Sequence, residues 1–261
     1  DFRLCQQHIS EIRFPEHVLR FTNDFEFFRQ DVADQFPKEI DGFNKLVEKI
    51  LSFDELNLND QEMLESRPIL ERFIKNPILI DMLNCPLMYY GNAREGDMDF
   101  YQFVIMFKSI FVEGFAKPVG GMHYILHLLE ERFKQLGGEL RMGSGVTSIN
   151  TEKGTVESIN LENGEKLVCE KVISSIGYVE TLKRCSPNLE TEDCETGQIS
   201  FMESLFVVDR EPRDLGYDKS IVFFSTQPKF DYRVPDEMIG ITSGVLCCSN
   251  NFNYPQPLKE G

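Results

Sequence analysis

His123 and His127 lie four residues apart on a segment of helical period, with Glu130 about one turn further on. Two imidazoles at that spacing beside a carboxylate can hold a metal ion. The same geometry turns the trio onto a flank away from the apolar stripe, where a solvated face is expected, so no metal is assigned. His8 and His17 have no evident partners. Carboxylates are plentiful, and Asp24, Glu130-Glu131 and the run Glu190, Glu192, Asp193 read as solvated rather than as an acid–base pair. A serine or cysteine nucleophile needs a base in reach, and no spacing supplies one. G-x-G-x-x-G, G-x-x-x-x-G-K-[ST], H-E-x-x-H and G-x-S-x-G are all absent,. The residues show no self-contained catalytic constellation.

The elements that would position a site alternate in type. Leu4 to Phe21 contains short alternating stretches, such as Glu11 and Arg13 against Ile12 and Phe14, and reads as two or three strands. From Asp24 the period becomes helical: Phe25, Phe28, Val32 and Phe36 share a face, with Asn23 or Asp24 to cap and Pro37 to stop. Phe43, Leu46, Val47, Ile50 and Leu51 mark a second helix. A third is expected over Glu62 to Lys75, with ends or kinks at Arg67 and Asn76, each before a proline. In Met98 to Phe115 apolar residues cover more than half a helix circumference, so this helix is either buried on most sides or lines an apolar cavity.

Pro118-Val-Gly-Gly-Met122 leads into a helix striped by Met122, Ile125, Leu126, Leu129, Phe133 and Leu136, which Gly137-Gly138 ends with a left-handed cap. Strands are expected at Val146 to Thr151, Thr155 to Leu161, Lys166 to Cys169 and Lys171 to Ser174, with a type I′ turn at Asn163-Gly164. Cys185 to Gly197 reads as an acidic surface connection. Further strands are expected at Ile199 to Val208, Ser220 to Ser225 and Met238 to Cys248.

With 41% apolar and 27% charged residues the balance is that of a globular protein,. A net charge of −16 opposes nucleic acid and anionic headgroups as partners,. The seven cysteines show no C-x-x-C pair and are expected to be reduced thiols of a cytoplasmic protein,. No apolar run reaches the roughly 20 residues of a membrane span, which leaves peripheral membrane contact open.

The segment from Pro118 to Ser175 resembles the second half of the flavin domain in phytoene desaturases, carotenoid isomerases and retinol saturases. The matching elements are Gly120-Gly121, Gly137-Gly138-Glu139, Val146-x-x-Ile149, Asn163-Gly164 and Val172-Ile173-Ser174-Ser175, in family order. Pro86 to Gly91, the aromatic helix before Pro118 and the strands after Phe201 resemble the family's substrate domain more weakly. The resemblance implies an α+β (mixed α/β) fold. Residues 1–117 and 181–261 would form a substrate-type domain, a mixed sheet with helices on one face, and residues 118–180 a partial flavin domain. It further implies FAD as cofactor and a hydrophobic, polyene- or isoprenoid-like substrate. Hydride would pass between a substrate carbon and the flavin, while the protein supplies alignment and an apolar channel. By analogy the backbone of Val146 would meet the adenine end of FAD. Gly120, Gly121 and Met122 would lie near the flavin or the substrate mouth, and Ser174 and Ser175 close to the cofactor. Phe103, Phe107 and Phe111 would line the substrate channel.

Other classes of function stay open, namely a non-catalytic lipid- or partner-binding module and a scaffold whose acidic surface meets a basic protein. The family's pyrophosphate-binding strand–G-x-G-x-x-G–helix and its glycine-rich C-terminal segment are absent from these residues. Asp1 opens the chain without an initiating Met, as a piece cut from something longer would. The chain alone is therefore expected to bind FAD weakly or not at all and to be inactive. Visible absorption of the purified chain checks this: a colourless protein is expected, and stoichiometric yellow flavin would overturn the expectation.

Overall fold

The structure, a computed structural model, describes residues 2–53, 63–187 and 199–256. It divides into two compact units, Asp1–Ile125 with Gln198–Gly261, and Leu126–Gly197.

The first unit opens with three short strands, β1 (Leu4–Gln6), β2 (Ser10–Arg13) and β3 (Val18–Phe21). Helix α1 (Phe25–Gln35) starts where the Asp24 carboxylate accepts a hydrogen bond from the Glu26 amide, and it buries Phe28 and Val32,. Helix α2 (Ile40–Leu51) buries Phe43, Leu46, Val47 and Ile50, the 3.6-residue stripe,. The expected third helix shrinks to α3 (Ser66–Leu70). The chain then turns before Pro77, whose ring disfavours helical backbone at Asn76. Residue 62 lies outside the described residues.

Helix α4 (Pro77–Gly91) was not anticipated. Asn76 caps it through the Ile78 amide, Pro77 occupies its first turn, and Leu79 to Met88 are all buried,. Surrounded on every side, it shows no amphipathic period, and Pro86 inside it reads as a breaker. Helix α5 (Phe100–Phe107), capped by Asp99, continues as a π-helical stretch over Lys108–Glu113,. Strand β4 (Ala116–Pro118) pairs with β1, and helix α6 (Gly121–Gln135) follows.

In the second unit β5 (Val146–Glu152), β6 (Thr155–Leu161) and β7 (Lys166–Val168) form the meander. Helix α7 (Tyr178–Arg184) returns the chain to β8 (Cys185–Ser186), which pairs in parallel with β5. The expected connection from Cys185 thus begins as a strand, and residues 188–197 lie outside the described residues. Back in the first unit, β9 (Ile221–Ser225) and β10 (Ser243–Cys247) complete a sheet of order β10-β9-β2-β3, antiparallel except for the parallel β2–β9 pair. The fold is α+β, as expected.

Four local expectations are corrected. Lys171 to Ser174 forms no strand, and Ile173 is fully exposed. Ile199 to Val208 forms none either, with Leu205, Phe206 and Val207 almost completely exposed. Of Met238 to Cys248 only Ser243–Cys247 is a strand. Apolar composition suits a strand, but a strand needs a hydrogen-bonding neighbour, and outside Ser243–Cys247 these stretches have no sheet partner among the described residues. Asn163-Gly164 is not a type I′ turn. Only Gly164 has positive φ, and the Asn163 side chain accepts from the Glu165 amide at 2.9 Å, an Asx turn that holds Asn163 at negative φ,. The two consecutive positive-φ residues that type I′ requires are Lys153 (50°) and Gly154 (80°), between β5 and β6,.

Gly137 (φ 85°) caps α6 as expected: the Gly138 amide reaches the Phe133 carbonyl at 3.0 Å and the Gly137 amide that of Lys134 at 2.9 Å, a Schellman pair,. The apolar stripe of α6 is not buried. Met122, Leu126, Leu129, Phe133 and Leu136 are all exposed. No helix among the described residues is long and apolar enough to cross a membrane.

The core of the first unit is aromatic. Phe28 and Phe111 stack with centroids 4.4 Å apart, Phe21 meets Phe111 edge-on at 5.3 Å, and Phe43, Phe103 and Phe107 complete the cluster, all fully buried,. Helix α2 reaches the loop after α3 through Gly42, where a β-carbon would lie 2.0 Å from the Phe73 carbonyl oxygen. Gly42→Ala must force the two backbones apart, and overpacking of this kind costs about 1–3 kcal/mol. The expected outcome is a lower urea midpoint with an unchanged m-value.

Candidate functional site

The four-stranded sheet of the first unit has two unlike faces because successive residues of a strand point to opposite sides. Ile12, Leu19, Phe21, Ile221 and Phe223 face the aromatic core. The register aligns two rows on the other face. Arg20, Glu11, Val222 and Leu246 lie side by side across β3, β2, β9 and β10, and Val18, Arg13, Phe224 and Gly244 form the next row. At Gly244 a β-carbon would come within 3.0 Å of the Phe224 ring, so the missing side chain leaves that ring room on the sheet.

This face floors a cavity of about 700 Å³, inside the usual range of small-molecule sites,. Phe14 and Pro15 wall it at the β2–β3 turn, and Gly216 to Lys219 wall it on the far side. That far wall is fixed from within the protein. Gly216 takes a left-handed conformation (φ 86°) after a 3₁₀ turn at Pro212–Leu215,. The fully buried Asn251 donates its amide hydrogens to the carbonyls of Tyr217 at 2.6 Å and Lys219 at 2.8 Å. The buried Ser220 hydroxyl donates in turn to the Asn251 carbonyl at 2.9 Å.

Charge enters the cavity in matched pairs. The Glu11 side chain is only 4% exposed, and its Oε1 accepts from Arg13 Nε at 2.9 Å and from a terminal guanidinium nitrogen at 2.6 Å. Lys219 donates to Asp218 at 2.7 Å, a hydrogen bond that holds the Asp218 carboxyl below the usual carboxylate range. Cys248 also lines the cavity, but burial, and after it Cys247, push its thiol upward. The reactive thiolate is thereby disfavoured.

The residues singled out from sequence lie elsewhere. Gly120, Gly121 (φ 70°) and Met122 belong to the first unit, at the start of α6, with Met122 exposed. Val146, Ser174 and Ser175 belong to the second. Val146 opens β5 opposite Leu161, and its carbonyl accepts from Arg184 at 2.8 Å. Ser174 Oγ lies 2.7 Å from Thr181 Oγ1. Phe103, Phe107 and Phe111 are packed in the core and do not line the cavity. His127 faces Glu131 at 3.7 Å, and Glu130 is paired with Lys134. Glu11, Arg13, Phe224 and Lys219 were not anticipated as site residues. The Glu-Ile-Arg alternation shows which way Glu11 points, but nothing local to it announces the distant loop that walls the cavity.

Comparison with known proteins places the chain. Residues 4–192 match the family described as Flavin containing amine oxidoreductase. The chain belongs to that family. A 4,4'-diapolycopene oxygenase of Methylomonas is 25% identical over 158 residues, 58% of this chain and 30% of the relative. A 4,4'-diaponeurosporene oxygenase of Staphylococcus aureus is 22% identical over 189 residues, 69% of this chain and 35% of the relative. The chain thus spans about a third of the length of these relatives. Among solved structures, an oxidoreductase from Methanosarcina mazei matches with a TM-score of 0.53 at 18% identity, over 74% of this chain and 45% of the other. A protein of Pyrococcus furiosus matches with a TM-score of 0.54 at 12% identity, over 86% and 53%. At these identities the two structures support the fold.

One titration reports on the joint between α4 and the sheet. Tyr89 donates to or accepts from Ser243 at 2.6 Å, and burial, opposed by that hydrogen bond, pushes its phenol from about 10 up to about 12. A raised phenol favours the folded state fully below pH 10, and the advantage is lost as pH rises through about 12,. Thermal melts of wild type and Tyr89→Phe across this window check the sign: the wild type is expected to lose more stability between pH 10 and 12 than the variant.

Proposed function

We propose that the whole protein is an FAD-dependent oxidoreductase acting on a hydrophobic polyene- or isoprenoid-like substrate, and that this chain supplies its substrate-type part with one portion of its flavin side. The observation that carries the reading is the family match over residues 4–192, joined to relatives whose names place them on 4,4'-diapolycopene and 4,4'-diaponeurosporene. The cavity over the outer sheet face would receive part of the substrate, with Val18, Val222, Phe224 and Leu246 as its apolar floor. Phe111 would back that floor through Phe21, and Phe103 and Phe107 would hold Phe111 rigid from behind.

On the flavin side, the backbone of Val146 would meet the adenine end. Gly120, Gly121 and Met122 would lie near the flavin or the substrate mouth, and Ser174 and Ser175 close to the cofactor. Each unit by itself offers one observation in keeping with this reading. A β-carbon at Gly121 would have nothing within 4 Å, and the stretch from Lys171 to Ser175 has no sheet partner among the described residues, with Ile173 fully exposed. In the whole protein, FAD would supply the hydride acceptor or donor.

A second reading, a non-catalytic module for apolar ligands, draws support from the cavity's lying within one unit. Purification of the native product containing these residues separates the two. Bound flavin is expected, along with a flavin-dependent change in the absorption bands of an added polyene. A native product that takes up the polyene with no flavin and no chemical change would establish the binding module.

A further inference from the structure

We propose that the cavity over the outer sheet face selects an apolar chain ending in a hydroxyl group, read by Glu11 and Arg13. The inference rests on the reading above that this cavity receives an apolar ligand. It adds the polar group of that ligand and the side chains that recognise it.

The floor supplies the apolar part. Val18, Val222, Phe224 and Leu246 present a continuous hydrocarbon surface, with Phe14 and Pro15 at one edge. Set into this surface is a carboxylate whose side chain is only 4% exposed. A buried charge is retained when it is paired, and among the described residues Glu11 has one ion-pair partner, Arg13, which takes Oε1 twice and does not engage Oε2. Arg13 in turn uses Nε and one terminal nitrogen on Glu11, while its side chain is 59% exposed. The pair therefore offers an acceptor at Glu11 Oε2 and a donor at the second terminal nitrogen of Arg13. A hydroxyl group, with one hydrogen to donate and lone pairs to accept, answers both.

Charge excludes the alternatives. The cations of the lining are Arg13 and Lys219, and each has its own carboxylate, Glu11 and Asp218. A ligand carboxylate would find both cations of the lining already engaged and would approach Glu11 at close range, while the exposed Arg20, beside Glu11 on β3, lies outside the lining. A pure hydrocarbon would strip water from the pair and return no hydrogen bond, so it is held by the floor alone and binds more weakly than a chain of the same length that carries a hydroxyl.

The test uses three pyrene-tagged probes of one chain length ending in methyl, hydroxyl or carboxylate, titrated by fluorescence against the purified chain. Wild type is expected to bind the hydroxyl probe at least about tenfold more tightly than either of the others. Glu11→Gln frees the Arg13 charge, so the preference is expected to invert toward the carboxylate probe. That gain of binding cannot come from unfolding. Val222→Trp, on the half-buried outer face, is expected to weaken binding of all three probes by crowding the apolar floor. Equal binding of the three probes by wild type, or Glu11→Gln without inversion, overturns the inference and leaves the apolar-ligand reading standing. No binding of any probe, or binding that Val222→Trp leaves unchanged, overturns both.

Discussion

The parallel seam between β2 and β9 is the constraint from which the first unit takes its form. Glu11, Ile12 and Arg13 register against Val222, Phe223 and Phe224, strands drawn from opposite ends of the described chain. A side-chain period of two means that this one register assigns every residue of both strands to a face. It sends Ile12 and Phe223 into the aromatic core and Glu11, Arg13, Val222 and Phe224 to the cavity. A slip of β2 by one residue would bury Glu11 and Arg13 among phenylalanines and expose Ile12. The desolvation of an ion pair in that core is what makes the alternative register prohibitive. The Glu11–Arg13 pair thus helps to fix the register as well as marking the site.

The core side is built to hold that seam still. Phe21 on β3 touches Phe28, Phe111 and Phe223, so α1, the π-helical stretch after α5 and β9 all meet at one ring. Behind them α4 is buried from Leu79 to Met88, and its one deeply buried charge, Asp81, is satisfied twice, by Arg67 and by the Phe230 amide. A polar network around Asp97 ties the chain before α5 to α3, with the Ser66 hydroxyl and the Arg67 amide as its donors. These contacts join segments far apart in sequence, which gives a sheet of short strands a rigid backing. An apolar floor that does not move is what a binding cavity on the opposite face requires.

Where the sequence carried local information, it was legible. The stripes of α1 and α2, the caps at Asp24 and Gly137, the short strands before Phe21 and the meander from Val146 all follow from period and turn chemistry. Helix α4 escaped because a helix buried on all sides has no contrast between faces, and Pro86 looks like a stop. Lys171 to Ser174 and Ile199 to Val208 carry strand-like composition without a neighbour to pair with, and composition does not encode pairing. The Asn163-Gly164 turn failed on a finer point: a side-chain hydrogen bond from the Glu165 amide outweighed the positive φ that Asn tolerates. The cavity was the least legible part. Its residues come from β2, β3, β9, β10 and a loop fixed by Asn251, and they are neighbours only after the parallel seam has formed. The resemblance pointed instead to α6 and the meander, because those elements keep a recognisable order along the chain.

The chain's large negative charge gives the neutrality of the cavity its meaning. With 43 acidic against 27 basic residues, an unmatched cation at a site would stand out as a deliberate anion receptor. The lining has two cations and holds each against a carboxylate within 3 Å. An anionic ligand would therefore meet an unfavourable field at long range and no unpaired cation in the lining on arrival,. A neutral ligand pays neither penalty. Its affinity would come from the hydrocarbon surface of Val18, Val222, Phe224 and Leu246, and its orientation from the single polar feature of that surface, the Glu11–Arg13 pair. That division of labour, apolar area for affinity and one polar group for direction, suits a protein whose chemistry would be supplied by a cofactor, since the side chains would have only to present the substrate in one orientation.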